Sequence, residues 1–343
     1  MELKILELFS GIGGMHYAFE YSKLNGQVMA AMDINTVANE VYAFNHKETC
    51  LMNNNIQKLS VKTLEKLQIN TILMSPPCQP HTRVGQKRDI EDKRSDALNH
   101  ICELLPLCKG VQYILMENVK GFEESQARNI YVEALEKSNF YYREFILSPT
   151  QIGIPNTRHR YYCLARKSKD FSFNADKLCK EMPLLNNQTF ENINLSSLLI
   201  EEEKIEPEFY LDEKVLKRRV MLMDIVTAAA SNTMCFTKAY THYSEGTGSI
   251  YCPLSLEEMQ RKFSQLKEIE DMENGSDDKE EKRLILLHSL KLRYFTPREV
   301  ARLMSFPESF NFPPKTTNRQ RYRLLGNSIN VSVVGELIKL MTL

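Results

Sequence analysis

The chain has 343 residues, enough for two domains at about 150 residues each, and its 43% hydrophobic and 26% charged content can build a substantial core. Lysine plus arginine equals aspartate plus glutamate at 44 each, so no bulk charge draws it to polyanions, and a nucleic-acid partner would need a local basic patch. The eight cysteines form no CxxC pair and the seven histidines are scattered, which argues against a structural zinc site; no metal is expected.

The N-terminus carries two glutamates and enters a strand at once, unlike a secretory signal, and no run of about 18 apolar residues marks a membrane span. Free thiols in the cytoplasm, with the nucleus as a second compartment, are the expectation. Residues 4–8 read as a strand, followed by the glycine turn Gly11-Ile12-Gly13-Gly14 and a helix over 15–24. A strand over 27–32, helices over 36–44 and 61–67, and a strand over 70–74 follow. A helix over 97–108, a strand over 113–116, a helix over 129–137, and strands over 145–147 and 161–165 complete the alternation. Such a pattern predicts an α/β fold with a mostly parallel, doubly wound, Rossmann-like sheet. The pattern breaks near residue 167. Residues 168–290 are richer in Asn, Glu and Lys and are expected to form a smaller domain, with a mobile acidic loop over 267–281. Helical periodicity returns over 297–304 and 331–341, so 1–167 and 291–343 are assigned to one domain.

Several strand ends carry chemistry. The turn after the first strand brings bare backbone to where a nucleotide-like ligand can approach, but His16 stands where a dinucleotide fingerprint needs its third glycine. Asp33 ends the second strand, where a carboxylate can accept bonds from both hydroxyls of a ribose; a tight turn and a helix-capping Asp explain the same residues. Cys78 lies just past an apolar strand within Ser75-Pro76-Pro77-Cys78-Gln79-Pro80, where prolines fix the backbone that presents the thiol; a lone cysteine is otherwise a small buried hydrophobe. Glu117 follows another apolar strand and reads as a helix cap or an acid. Arg158 and Arg160 alternate along an expected strand and would face one side, as a binding pair or a cationic edge. Gly326-Asn327-Ser328 precedes the last helix as a loop or as its turn and N-cap.

Taken in order, the glycine turn, the strand-end Asp, Pro-Pro-Cys-Gln, Glu-Asn-Val, Arg-x-Arg and a late Gly-Asn-Ser resemble the cytosine-5 methyltransferase family over nearly the whole chain. Cys235-Phe236-Thr237, with Tyr240, Tyr243 and Gly246-Thr247-Gly248-Ser249, is similar to its DNA-methyltransferase-homologue-two subfamily. The resemblance implies methyl transfer from S-adenosylmethionine to C5 of cytosine 38 in the anticodon loop of the aspartate tRNA. It implies Cys78 as nucleophile, Glu117 at the base N3, Arg160 at O2 and Arg158 in support. Cofactor contacts carry over to Phe9, Ile12, Gly13, Gly14, Asp33, Ile56, Gln57, Ser75 and Asn327. Arg83, Lys120, Cys235, Phe236, Thr237 and Tyr240 are the expected RNA contacts, with Lys87, Arg88, Lys291, Arg293 and the run 318–323 as further cations. Asn156 stands where many relatives have glutamine, and His81 where many have Phe. A monomer is expected, with duplex DNA as a weaker partner. A DNA cytosine-5 methyltransferase and a non-catalytic nucleic-acid-binding relative are the competing functions.

Overall fold

The structure is a computed structural model and describes residues 2–77, 96–173, 178–184, 189–243, 245–271 and 277–343. Apolar runs supply the strands of the main sheet: β1 (Leu3–Leu8), β2 (Gly26–Asp33), β3 (Cys50–Asn53), β4 (Thr71–Met74), β5 (Tyr113–Val119), β6 (Tyr141–Leu147), β7 (Arg160–Arg166) and β8 (Leu178–Cys179). They lie in the order β3-β2-β1-β4-β5-β7-β6-β8. The chain first builds outward from β1 through β2 to β3, then returns to place β4 on the other side of β1. This reversal opens a crevice beyond the carboxyl ends of β1 and β4, where open α/β sheets bind ligands. Both the glycine turn and the segment entering Cys78 start there.

The sheet is mixed. β7 runs antiparallel to both of its neighbours, β5 and β6. An apolar run records burial and not direction, so the expectation of a mostly parallel sheet could not mark this reversal.

Side chains alternate across the strands, so the sheet buries both faces. Ile5, Leu73, Leu115 and Leu164 pack on one side with α1 (Gly14–Ser22) and the C-terminal α11 (Val331–Thr342). Leu6, Leu8, Ile72, Met74, Ile114 and Met116 pack on the other with α4 (Asp96–Leu104) and α5 (Gln126–Lys137). Between these, α2 (Thr36–Asn45) and α3 (Val61–Lys66) begin at the side-chain caps Asn35 and Ser60. The stretch Asn318–Thr342 has a window apolar enough on average to cross a membrane, but 72% of that window is buried inside the protein, as in a core helix.

A second apolar cluster, centred on Leu211, Leu216, Ile250, Leu266, Leu287 and Leu292, joins α6 (Glu213–Arg219), α7 (Leu256–Glu270) and α8 (Asp277–Ser289). A small sheet lies beside it, in the order β11 (Arg293–Tyr294), β10 (Ile250–Tyr251), β9 (Ile225–Val226). Of the acidic stretch expected as a loop, residues 267–270 end α7 and 277–281 begin α8, while 272–276 lie outside the described residues. Ser255 caps α7, which buries Leu266 in this cluster with Met259 and Phe263 packed beside it. Two elements complete the chain. In α9 (Pro297–Leu303) a capping box joins Thr296 and Glu299, and in α10 (Asn318–Gly326) Thr317 and Gln320 form another.

Candidate active site

The turn leaving β1 is held open by left-handed backbone at Phe9 (φ 54°), Gly11 (φ 52°) and Gly13 (φ 84°). At Gly13 the requirement is also spatial, because a Cβ would lie 2.8 Å from His46 Nε2. The Gly11 amide donates to Asp33 Oδ2 and the Asn35 amide to Asp33 Oδ1, each at 2.8 Å. Asn35, and not Asp33, caps α2 through Val37 and Ala38. Asp33 therefore braces the glycine turn and remains at the cavity wall.

Glu7, which the sequence reading did not single out, faces the same cavity from β1. Its Oε1 accepts from the Met15 amide at 3.2 Å and its Oε2 from the Tyr42 hydroxyl at 2.9 Å. Complete burial drives its pKa up to about 8, against the lowering effect of these hydrogen bonds. A lone acid inside an otherwise apolar buried strand was the signal available for it.

The cavity encloses about 540 Å³. Phe9, Gly11, Ile12, Gly14, Asp33, Ile56, Gln57 and Ser75 line one end. Glu117, Arg158, Arg160, Lys238 and Asn327 also reach it. Of the expected cofactor residues only Gly13 is absent from the lining; it acts from behind, as the N-cap of α1. Lys238 was not foreseen.

Glu117 belongs to β5 itself, two residues before its end, and opposes Tyr162 in the antiparallel register. Arg160 opens β7, whereas Arg158 precedes that strand, so the two arginines do not share strand alternation as expected. They converge nonetheless. Arg160 Nε lies 3.4 Å from Glu117 Oε1, and its Nη2 is 3.9 Å from Cys235 Sγ. Arg158 Nη1 donates to Cys235 Sγ at 3.3 Å and to Phe236 O at 3.0 Å, while Nη2 donates to Gly326 O at 3.1 Å and to Ser328 O. Burial pushes the Glu117 carboxyl up, with Arg160 and Arg158 pulling the other way. Burial also works to raise the Cys235 thiol, but the two guanidiniums prevail and hold it below the usual thiol range.

Backbone contacts fix this convergence. Asn156, the departure noted above, donates from Nδ2 to Thr233 Oγ1 at 3.0 Å and to Met234 O at 2.9 Å, so residues 155–158 and 233–236 are stitched together. Gly326 is the closest approach between the late loop and this segment: a Cβ there would lie 2.2 Å from Lys238 N. Asn330, and not the Gly-Asn-Ser loop, caps α11. Asn118 Nδ2 reaches Pro76 O at 3.5 Å, linking β5 to the proline segment that leads to Cys78.

Cys78 and Arg83 lie outside the described residues, as do His81, Lys87 and Arg88. Phe236 and Tyr240, expected at an RNA surface, are core residues at 2% and 3% exposure. The Tyr240 hydroxyl donates to Ser249 O at 2.7 Å and accepts from the Phe295 amide at 2.9 Å, and its ring packs edge-on against Phe236 and Tyr322. Tyr243 is the exposed tyrosine, at 62%. Thr237 is partly buried next to Gly326, while Lys120 and Lys291 are exposed. Arg293 is no surface cation: it is fully buried, pairing with Glu299 at 2.9 Å and Glu202 at 2.8 Å.

A glycine turn and a strand-end carboxylate beyond the carboxyl ends of β1 and β2 form the kind of crevice in which open α/β sheets bind nucleotide-like ligands. The chain belongs to the C-5 cytosine-specific DNA methylase family, whose model matches residues 3–342. It is 45% identical to a tRNA (cytosine(38)-C(5))-methyltransferase of Spodoptera frugiperda over 99% of both chains. It is 38% identical to the protein of that name in Bos taurus, again over 99% of both. The crystal structure of a Spodoptera frugiperda DNMT2 mutant superposes with a TM-score of 0.88 at 44% identity, covering all of both chains.

Proposed function

We propose that this protein transfers a methyl group from S-adenosylmethionine to C5 of cytosine 38 in the anticodon loop of the aspartate tRNA. The observation that carries the reading is one continuous cavity. At one end are the glycine turn and Asp33; at the other are Glu117, Arg158 and Arg160, beside the proline segment that enters Cys78.

The residues fit S-adenosylmethionine. Asp33 offers a carboxylate to the ribose hydroxyls, Phe9 and Ile56 offer apolar surface to the adenine, and the glycine turn leaves room for the methionine portion. When bound, that cofactor supplies an electrophilic methyl on sulfur. Cytosine C5 is too poor a nucleophile to take it unaided. The Cys78 thiolate adds to C6, forming a C–S bond and moving electron density to C5, while Glu117 donates its proton toward N3. Arg160 holds O2. C5 would then take the methyl group, leaving a neutral thioether, and lose its own proton to solvent; N3 returns its proton to Glu117 as the C–S bond breaks, which restores the ring and the Cys78 thiolate. The target base must leave its stack to enter, which is cheaper in a loop than in a duplex.

We assign residues 1–167 and 291–343 to catalysis and 168–290 to target recognition, acting as a monomer in the cytoplasm with the nucleus as a second compartment. Among the described residues Lys120 and Tyr243 are exposed for RNA contact and Thr237 is partly so, with Phe236 and Tyr240 shaping the surface from beneath.

Labelled methyl transfer to a purified tRNA pool, followed by bisulfite sequencing, should mark the aspartate tRNA at this cytosine, with little label on duplex DNA at equal nucleotide concentration. Efficient, site-specific labelling of duplex DNA with none on tRNA would overturn the RNA assignment. Separately, Asp33→Ala should weaken S-adenosylmethionine binding by about ten- to a hundredfold, the loss expected for hydrogen bonds to a charged acceptor. Unchanged calorimetric affinity in a folded variant would remove Asp33 from the cofactor site.

A further inference from the structure

Arg158 is 3% exposed and permanently charged, yet among the described residues no carboxylate lies within ion-pair distance of it. Three of its four hydrogen-bond acceptors are neutral carbonyls, of Phe236, Gly326 and Ser328. The fourth is Cys235 Sγ at 3.3 Å, which Arg160 also approaches at 3.9 Å. Were Cys235 a thiol, its hydrogen would have, among the described residues, only Phe236 O at 3.9 Å to receive it, while two guanidiniums presented donors to the same sulfur. A buried cation without a counter-ion is costly, and the sulfur stands where the counter-ion belongs.

We propose that Cys235 is held in the folded protein as a thiolate, the counter-ion of Arg158 and Arg160, and that its charge allows Glu117 to carry a proton beside two guanidiniums. The second half rests on the methyltransferase reading above. Two fixed positive charges next to Glu117 favour its ionised form, which cannot donate to the base. A negative sulfur between those arginines cancels one charge and restores the acid. The groups facing the cluster are Glu117 from β5, Arg160 and Tyr162 from β7, Arg158 before that strand, and Lys238 beyond the cysteine. Cys235 is thus a positioning residue, distinct from the nucleophile. Its depressed thiol agrees with this geometry.

The first test needs no substrate. The thiolate ultraviolet absorbance of the wild-type protein minus that of Cys235→Ser should report one thiolate already formed at neutral pH, ionising about two units or more below the ordinary thiol value of ~8.5. A difference that is absent at neutral pH and ionises only above it overturns the proposal. The second test follows methyl transfer to tRNA across pH. Losing the negative charge lowers the Glu117 pKa, so Cys235→Ser should move the alkaline limb of the rate profile down by about one unit, and Cys235→Asp should move it back. A Cys235→Ser enzyme slowed equally at every pH would mean that the cysteine only packs. If no variant and no wild-type enzyme methylates tRNA, the functional reading fails, and the absorbance titration still decides the thiolate.

Discussion

A Cys78→Ala enzyme is expected to bind S-adenosylmethionine as tightly as the wild type and to transfer methyl groups at least about 10⁴-fold more slowly, the scale of losing a covalent nucleophile. The residues proposed for the cofactor include Ile12 and Gly14 of the glycine turn, Asp33, the Ile56-Gln57 pair and Ser75, all lining the cavity and none altered by the substitution. None of the described cysteines lines the cavity: Cys102, Cys108, Cys163 and Cys252 are buried, and Cys235 is engaged by Arg158 and Arg160. A tRNA carrying fluorine at C5 of the target base distinguishes the step that fails. Fluorine cannot leave as a proton does, so the wild-type enzyme should accumulate a denaturant-stable protein–RNA adduct and Cys78→Ala should form none. A variant that still transfers methyl at the wild-type rate would exclude the Cys78 mechanism.

Glu117→Gln should slow transfer by about 10² to 10⁴, the usual contribution of a positioned general acid, with cofactor affinity unchanged. The amide fills nearly the same space beside Arg160 but has no proton to give up as charge develops on the ring. The pH dependence sharpens the test. Burial raises the Glu117 pKa, so its acid form persists above the ordinary carboxyl range and is lost as pH climbs through the raised value. Wild-type activity should therefore fall on the alkaline side, and the glutamine variant should lack that fall. An unchanged alkaline limb in Glu117→Gln would assign it to another group.

Much of the site was readable because its residues sit where apolar runs stop. A buried strand ended by glycine or proline announces both the strand and its carboxyl end, which makes the glycine turn, Asp33 and the segment entering Cys78 legible in the sequence. Glu117 was legible for the same reason, although β5 runs two residues further than its apolar core. Direction and depth were not legible. Nothing in the composition of residues 160–166 says that β7 runs against its neighbours. Nor does sequence separate Tyr240, which is buried through two hydrogen bonds, from Tyr243, three residues on and exposed. Arg293 reads as a surface cation until Glu202 and Glu299, distant in the chain from each other, close around it. The small sheet escaped notice because each of its strands is two residues long, too short for a period to register.

Arg158 reaches Gly326 and Ser328, 168 and 170 residues further along the chain, and α1 lies against α11. Synthesis therefore delivers the pieces of this cavity far apart in time. When the strands from β1 to β7 have left the ribosome, the glycine turn and Glu117 can be in place, but the carbonyls that anchor Arg158 have not been made. A nascent chain at that stage holds a buried-type arginine with no anchor and an open sheet face where α11 will pack. The anchoring of Arg158 thus waits for the last helices, and the cavity is complete only once they have been made.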